Sequence, residues 1–198
     1  IGAYEKLLAL QPDSPEVHYN LGLLHERQKN VAKAVAAYGK AVDLEPDYFL
    51  GWYALARALE NRKDYDGAIE AYEHCVELDY ANAGLHGQLG LLYHLQKRTL
   101  DAKTEFRRTL RYAPGDALAL YTLGLIAEED KNWPEAIDYF EQLVKKRPDF
   151  TEALLHLGYL YNQAEDLKGA VGALRRASHA APNMPDVWYY LGIAQAER

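Results

Sequence analysis

The sequence predicts an all-α protein built from stacked antiparallel helix hairpins, and three observations carry that prediction. The first is a period. Leu123-Gly124, Ala136, Phe140 and Pro148 mark the stretch 117–150, and the same marks recur every 34 residues along the chain. The second is spacing. Counting positions 1 to 34 within a repeat, apolar residues fall at 4, 7 and 11, and again at 20, 24, 27 and 28, each set on one face of a helix. The third is turn chemistry: Asn30, Asp64, Asn132 and Asp166 stand between the two apolar sets, and Pro46, Pro114, Pro148 and Pro182 close the repeats.

Taken in order, residues 1–14 read as the second helix of an incomplete repeat, with Tyr4, Leu7 and Pro12 in the places of Phe140, Leu143 and Pro148. Five complete repeats follow without insertion, at 15–48, 49–82, 83–116, 117–150 and 151–184. Residues 185–198 begin a sixth and stop after its first helix. The expectation is a single array over 1–198 that is a piece of a longer one, because it starts at Ile1 and carries Trp188, Leu191 and Ile193 on a helix without its hairpin partner. Terminal repeats normally bear a polar cap. End-to-end contacts between chains are therefore expected to cover these faces.

The register is strict. Position 7 is Leu21, Leu55, Leu89, Leu123, Leu157 and Leu191, and position 8 is Gly22, Ala56, Gly90, Gly124, Gly158 and Gly192. Position 20 is Ala34, Ala68, Ala102, Ala136 and Ala170, and position 24 is Tyr38, Tyr72, Phe106, Phe140 and Leu174. Position 4 is large or ring-bearing, as in His18, Trp52, His86 and Trp188. This pattern resembles the tetratricopeptide repeat, W-x2-L-G-x2-Y, then A-x3-F, then P, over the whole chain. Departures are local: Tyr80 replaces the proline once, and position 11 is Tyr only at Tyr93 and Tyr161. The resemblance implies a right-handed superhelical α-solenoid.

Glycine inside a helix costs about 1 kcal/mol relative to alanine. Its recurrence at position 8 therefore calls for close helix approach, expected against the alanine at position 20 across roughly 8–10 Å between axes. The residues at position 16 are expected to take the left-handed backbone of the turn. The Pro46-Asp47, Pro114-Gly115, Pro148-Asp149 and Pro182-Asn183 pairs are expected to end one repeat and help cap the next.

Composition narrows function. A hydrophobic content of 49% with 26% charged residues is that of a folded chain, and a net charge of −7 argues against a nucleic-acid partner. The single Cys75 excludes an internal disulfide and, at position 27, reads as buried and inert. No apolar run reaches the roughly 20 residues that span a bilayer. No nucleophile–base–orienter set is visible, so no catalysis, cofactor or metal is expected. His94 and Glu128 are a conceivable cross-repeat pair, but two ligands do not make a metal site. No residue decides the compartment, the cytoplasm being preferred.

The resemblance also implies where partners bind. In the tetratricopeptide family first helices line a concave groove, mainly through positions 2, 5, 6, 9, 12 and 13. Carried onto this register, the candidate peptide-binding residues are Tyr19, Leu23, Tyr53, Arg57, Leu91, His94, Tyr121, Leu125, Glu128, Leu155 and Tyr159. They describe an aromatic and apolar floor with an acidic rim, suited to a peptide or amphipathic helix of a protein partner. The competing reading is that positions 5 and 9 serve only packing between repeats. The third repeat has an uncharged first helix and a second helix bearing Lys103, Arg107, Arg108 and Arg111, read mainly as a solvated face. The lysine–asparagine carboxylate clamp and the asparagine ladder known in other members are absent at position 6. The expected function is a non-catalytic protein–protein interaction scaffold, with a docking or regulatory arm of a larger enzyme, or a self-associating module, as alternatives.

Overall fold

The computed structural model describes residues 2–197, with side chains from Lys6 onward. The places assigned to Ile1, to the Tyr4 side chain and to Arg198 lie outside the described residues. The described residues form α-helices and turns and contain no strand. They divide into two compact units, Ile1–Arg98 and Thr99–Arg198. The first unit comprises α1 (Gly2–Leu10), α2 (Pro15–Arg27), α3 (Val31–Leu44), α4 (Phe49–Asn61), α5 (Tyr65–Leu78) and α6 (Ala83–Leu95). In it α2 pairs with α3 and α4 with α5, while α3 packs on α4 and α5 on α6. The second unit comprises α7 (Thr99–Tyr112), α8 (Ala117–Glu129), α9 (Trp133–Lys146), α10 (Thr151–Gln163), α11 (Leu167–Ala180) and α12 (Pro185–Ala196). There α8 pairs with α9 and α10 with α11, and α7, α9 and α11 pack on α8, α10 and α12 in turn.

The two helices of a repeat are buried differently, and their sequences say why. On α9 the buried residues are Ala136, Phe140, Leu143 and Val144, a single stripe at helical spacing. On α8 the buried set runs Ala119, Leu120, Thr122, Leu123, Gly124, Ile126 and Ala127, which leaves little of the circumference free. A first helix thus buries most of its circumference, and a second helix a single face.

The close approach at position 8 is real, but its partner is not the alanine at 20. A methyl group on Gly124 would lie 2.7 Å from Cε1 of Phe140, and on Gly22 or Gly158 it would collide with Tyr38 or Leu174. The glycine therefore makes room for the side chain at position 24, a residue larger than any alanine and fully buried at Tyr38, Phe140 and Leu174.

The turn also differs from expectation by one residue. Left-handed backbone falls at position 15, on Lys29, Lys63, Lys97, Lys131 and Glu165, with φ between 57° and 62°. The amide of the next residue returns to the carbonyl at position 11, as in Asn132 N–H to Ala127 O at 2.8 Å and Asp64 N–H to Leu59 O at 3.0 Å. This double closure of the helix end holds a lysine where glycine is usual. The position-16 residues are instead N-caps of the second helices: Asn30, Asp64 and Asp166 accept from the amides of Lys33, Gly67 and Gly169. First helices are capped at position 34, by Ser14, Asn82 and Asp116, rather than by the Pro-Asp pairs.

Position 4 has its own logic. The ring nitrogens of His18, Trp52, His86 and Trp188 each meet the carbonyl six residues earlier, at Pro12, Pro46, Tyr80 and Pro182, at 2.7–2.9 Å. Tyr80 keeps the carbonyl that its missing proline would have offered.

Candidate functional site

The expected groove residues sit partly covered in each unit. In the first, Tyr19 packs against Tyr38 and Tyr48 with ring centroids 5.8 and 5.7 Å apart. Tyr53 lies 5.9 Å from Tyr72 and 6.2 Å from Phe49. Leu23 and Leu91 are half-buried, and Arg57 and His94 are exposed. In the second, Tyr121 packs on Phe140 and Phe150 at 5.9 and 5.5 Å. Burial raises its hydroxyl above the ordinary range, and the carboxylates of Glu152 and Glu128 add to that. The position-5 tyrosines therefore serve two ends. One face rests on the ring at position 24, and the remainder stays accessible.

Position 12 shows a division of labour. The Tyr38 hydroxyl donates to Glu26 Oε2 at 2.9 Å, and the Tyr72 hydroxyl to Glu60 Oε2 at 3.2 Å. These two acids of the expected rim are tied within their own repeats. In the repeat of Glu128, position 24 is Phe140, which has no hydroxyl. Glu128 accepts instead from His156 Nδ1 at 2.7 Å, while the His156 ring stacks on Phe140 at 5.0 Å.

That pair borders a hollow of the second unit, about 490 Å³, lined by Glu128, Leu155, His156, Tyr159, Asp186, Tyr189 and Tyr190. A second hollow of about 350 Å³ shares Glu128, His156 and Tyr159 and adds Leu125, Glu129 and Trp133. Tyr121 lines a third, with Leu118, Arg147 and Phe150. The structure thus gathers Glu128, Leu155 and Tyr159 around one space, with Leu125 beside it and Tyr121 apart. Asp186 and Tyr190, at positions 2 and 6, were not singled out from sequence, although those positions belong to the same groove set.

Other candidates resolve as structure. Lys103 pairs with Asp130 and Arg107 with Glu135, both at 2.9 Å, so much of the basic stripe on α7 is spent on the repeat that follows. The hydroxyls of Tyr93 and Tyr161 reach back to Glu73 and Glu141 on the preceding second helices. Cys75 is fully buried, and burial pushes its thiol up to about 12. No group of three or more His, Cys, Asp or Glu among the described residues is placed to hold a metal. No described helix is long and apolar enough to cross a membrane.

Helix hairpins repeated at one register, with rings left accessible on their first helices, define a helical-repeat scaffold for protein–protein interaction. Sequence models of the tetratricopeptide repeat match residues 15–48, 49–82, 89–149 and 132–185, and the chain belongs to that family, whose members generally carry no catalytic chemistry. It is 29% identical over 109 residues to the general transcriptional corepressor ssn6 of Schizosaccharomyces pombe, covering 54% of this chain and 10% of that protein. It is 31% identical over 121 residues to the cilia- and flagella-associated protein 70 of Homo sapiens, covering 59% and 11%. The chain spans about a tenth of the length of these relatives. The solved structure of YrrB, a TPR protein with an unusual peptide-binding site, matches with a TM-score of 0.77 at 19% identity, over 94% of this chain and 96% of that one. At that identity the likeness is one of fold.

Proposed function

We propose that the chain binds a peptide or helix of a protein partner along the first-helix surfaces that carry Tyr19, Leu23, Tyr53, Arg57, Leu91, His94, Tyr121, Leu125, Glu128, Leu155 and Tyr159. The observation that supports this most is the hollow at Leu155 and Tyr159. Its volume lies within the range of ligand sites, and its walls combine apolar area with a few polar groups. Tyrosine contributes large area at few torsions and a polar tip, which suits such a surface. The peptide-binding site of YrrB is a precedent on the same fold. The net charge of −7 speaks against nucleic acid as the partner.

The test is capture of a partner by the wild-type chain and by Tyr53→Ala combined with Tyr121→Ala, with helicity followed by circular dichroism. Loss of capture at unchanged helicity supports the reading, and retained capture overturns it. A second reading, self-association, is favoured by Trp188 and Tyr189, which are 52% and 64% exposed on α12. A molar mass that rises with concentration in light scattering would support it. The same surface would serve as a docking arm within a larger protein, for which the length of the relatives leaves room.

A further inference from the structure

We infer that the hollow between α8, α10 and α12 seats a basic side chain, lysine or arginine, of the bound segment; this rests on the peptide-binding reading above. Three observations carry it. First, the lining holds two carboxylates, Glu128 and Asp186, and no lysine or arginine. An apolar occupant would strip water from those acids without replacing its hydrogen bonds, whereas a guanidinium or ammonium supplies donors and charge together.

Second, the walls are rings set steeply to one another. Tyr159 and Tyr190 lie 5.9 Å apart at 69°, and Tyr189 and Tyr190 lie 5.3 Å apart at 74°. Rings in different planes enclose a space instead of stacking into a plate, and the negative faces of aromatic rings attract cations.

Third, Glu128 has no hydroxyl at position 24 of its own repeat to accept from. Glu26 and Glu60, at the same register, accept from Tyr38 and Tyr72, but Phe140 offers Glu128 no hydroxyl. A carboxylate can only accept, so Nδ1 of His156 donates to Oε2 and holds the group in place. Oε1 is left for an incoming donor. Two carboxylates are too few for a metal cage, and a space with no lysine or arginine in its lining does not suit an anion.

The experiment is a titration of the whole chain, followed by amide NMR, with N-acetyl-arginine methylamide and with the neutral N-acetyl-norleucine methylamide. The expected result is saturable shifts at 155–159 and 186–190, with the arginine probe binding roughly fivefold more tightly than norleucine. Glu128→Gln and Asp186→Asn, each checked for unchanged helicity, should each weaken the arginine probe while leaving norleucine unaffected. Equal affinities for the two probes, unsaturable shifts spread over surface acids, or binding that survives both substitutions would overturn the inference.

A display selection of random dodecapeptides separates this from the groove reading. Peptides without a Lys or Arg preference that bind Glu128→Gln normally, but fail on Tyr53→Ala with Tyr121→Ala, would keep the groove and sink the basic seat. Arginine-probe binding here, with no dodecapeptide selected, would do the reverse.

Discussion

Tyr72 and Phe140 stand at the same register of two repeats and differ by one hydroxyl, and the glutamate twelve residues earlier is paired differently in each. In 49–82 the Tyr72 hydroxyl donates to Glu60, and the acid is held inside its own hairpin. Burial, then the Glu60 charge, raises that hydroxyl well above its ordinary value, so it remains a donor at all working pH. In 117–150 the ring lacks the hydroxyl, and Glu128 turns to His156 on the next first helix. The same family position is a structural tie in one repeat and part of a pocket wall in the other. A register locates a residue, but its neighbours assign the task.

The largest expected effect falls on what the two repeats share. Leu123 and Leu55, at position 7 of the two repeats, are buried, at 1% and 9% exposed, and Leu123→Ala and Leu55→Ala should each cost about 2–5 kcal/mol in urea unfolding. A midpoint within error of wild type for either would remove the shared core from the account. Next is position 8, where repeat 49–82 carries Ala56 and repeat 117–150 carries Gly124. Gly124→Ala should destabilise, because overpacking against Phe140 of about 1–3 kcal/mol outweighs a helix-propensity gain of about 1 kcal/mol. A rise in stability would show that the ring yields.

The comparison itself is tested by exchanging the hydroxyl. Tyr72→Phe should cost about 0.5–1.5 kcal/mol by freeing a half-buried Glu60. Phe140→Tyr should draw Glu128 away, and the hydrogen-bonded His156 Nδ1 proton should lose its downfield NMR signal. Persistence of that signal would mean that the hydroxyl is not what decides. The smallest effect has the opposite sign. A methyl on Gly172, on the exposed face of α11, would meet nothing within 4 Å, so Gly172→Ala should raise stability by about 0.4–1 kcal/mol in the same unfolding assay.

How far these features could be read in advance depended on how local their causes are. The helices, their hairpins and the buried marks at Leu123, Ala136 and Phe140 follow from spacing within one repeat. The left-handed residue did not show itself, because Lys29, Lys63, Lys97 and Lys131 carry no side-chain signature for that conformation; hydrogen bonds back to position 11 impose it. Glu128, Leu155 and Tyr159 were found by register. His156, Asp186 and Tyr190 acquire meaning only beside α8 and α12, although a phenylalanine at 24 opposite a glutamate at 12 was a signal open to reading.

By itself the sequence determined the period, the helical hairpins, the family and the stripe each helix buries, since all of these arise from residues a few turns apart that repeat at one spacing. Only the tertiary structure decided that glycine at position 8 serves the ring at 24, that Glu128 pairs with His156, and that three tyrosines with two acids enclose one space. Those outcomes depend on which side chains meet across helices well separated in the chain, as Glu128 meets His156 28 residues later, and the hydrophobic period alone does not encode such meetings.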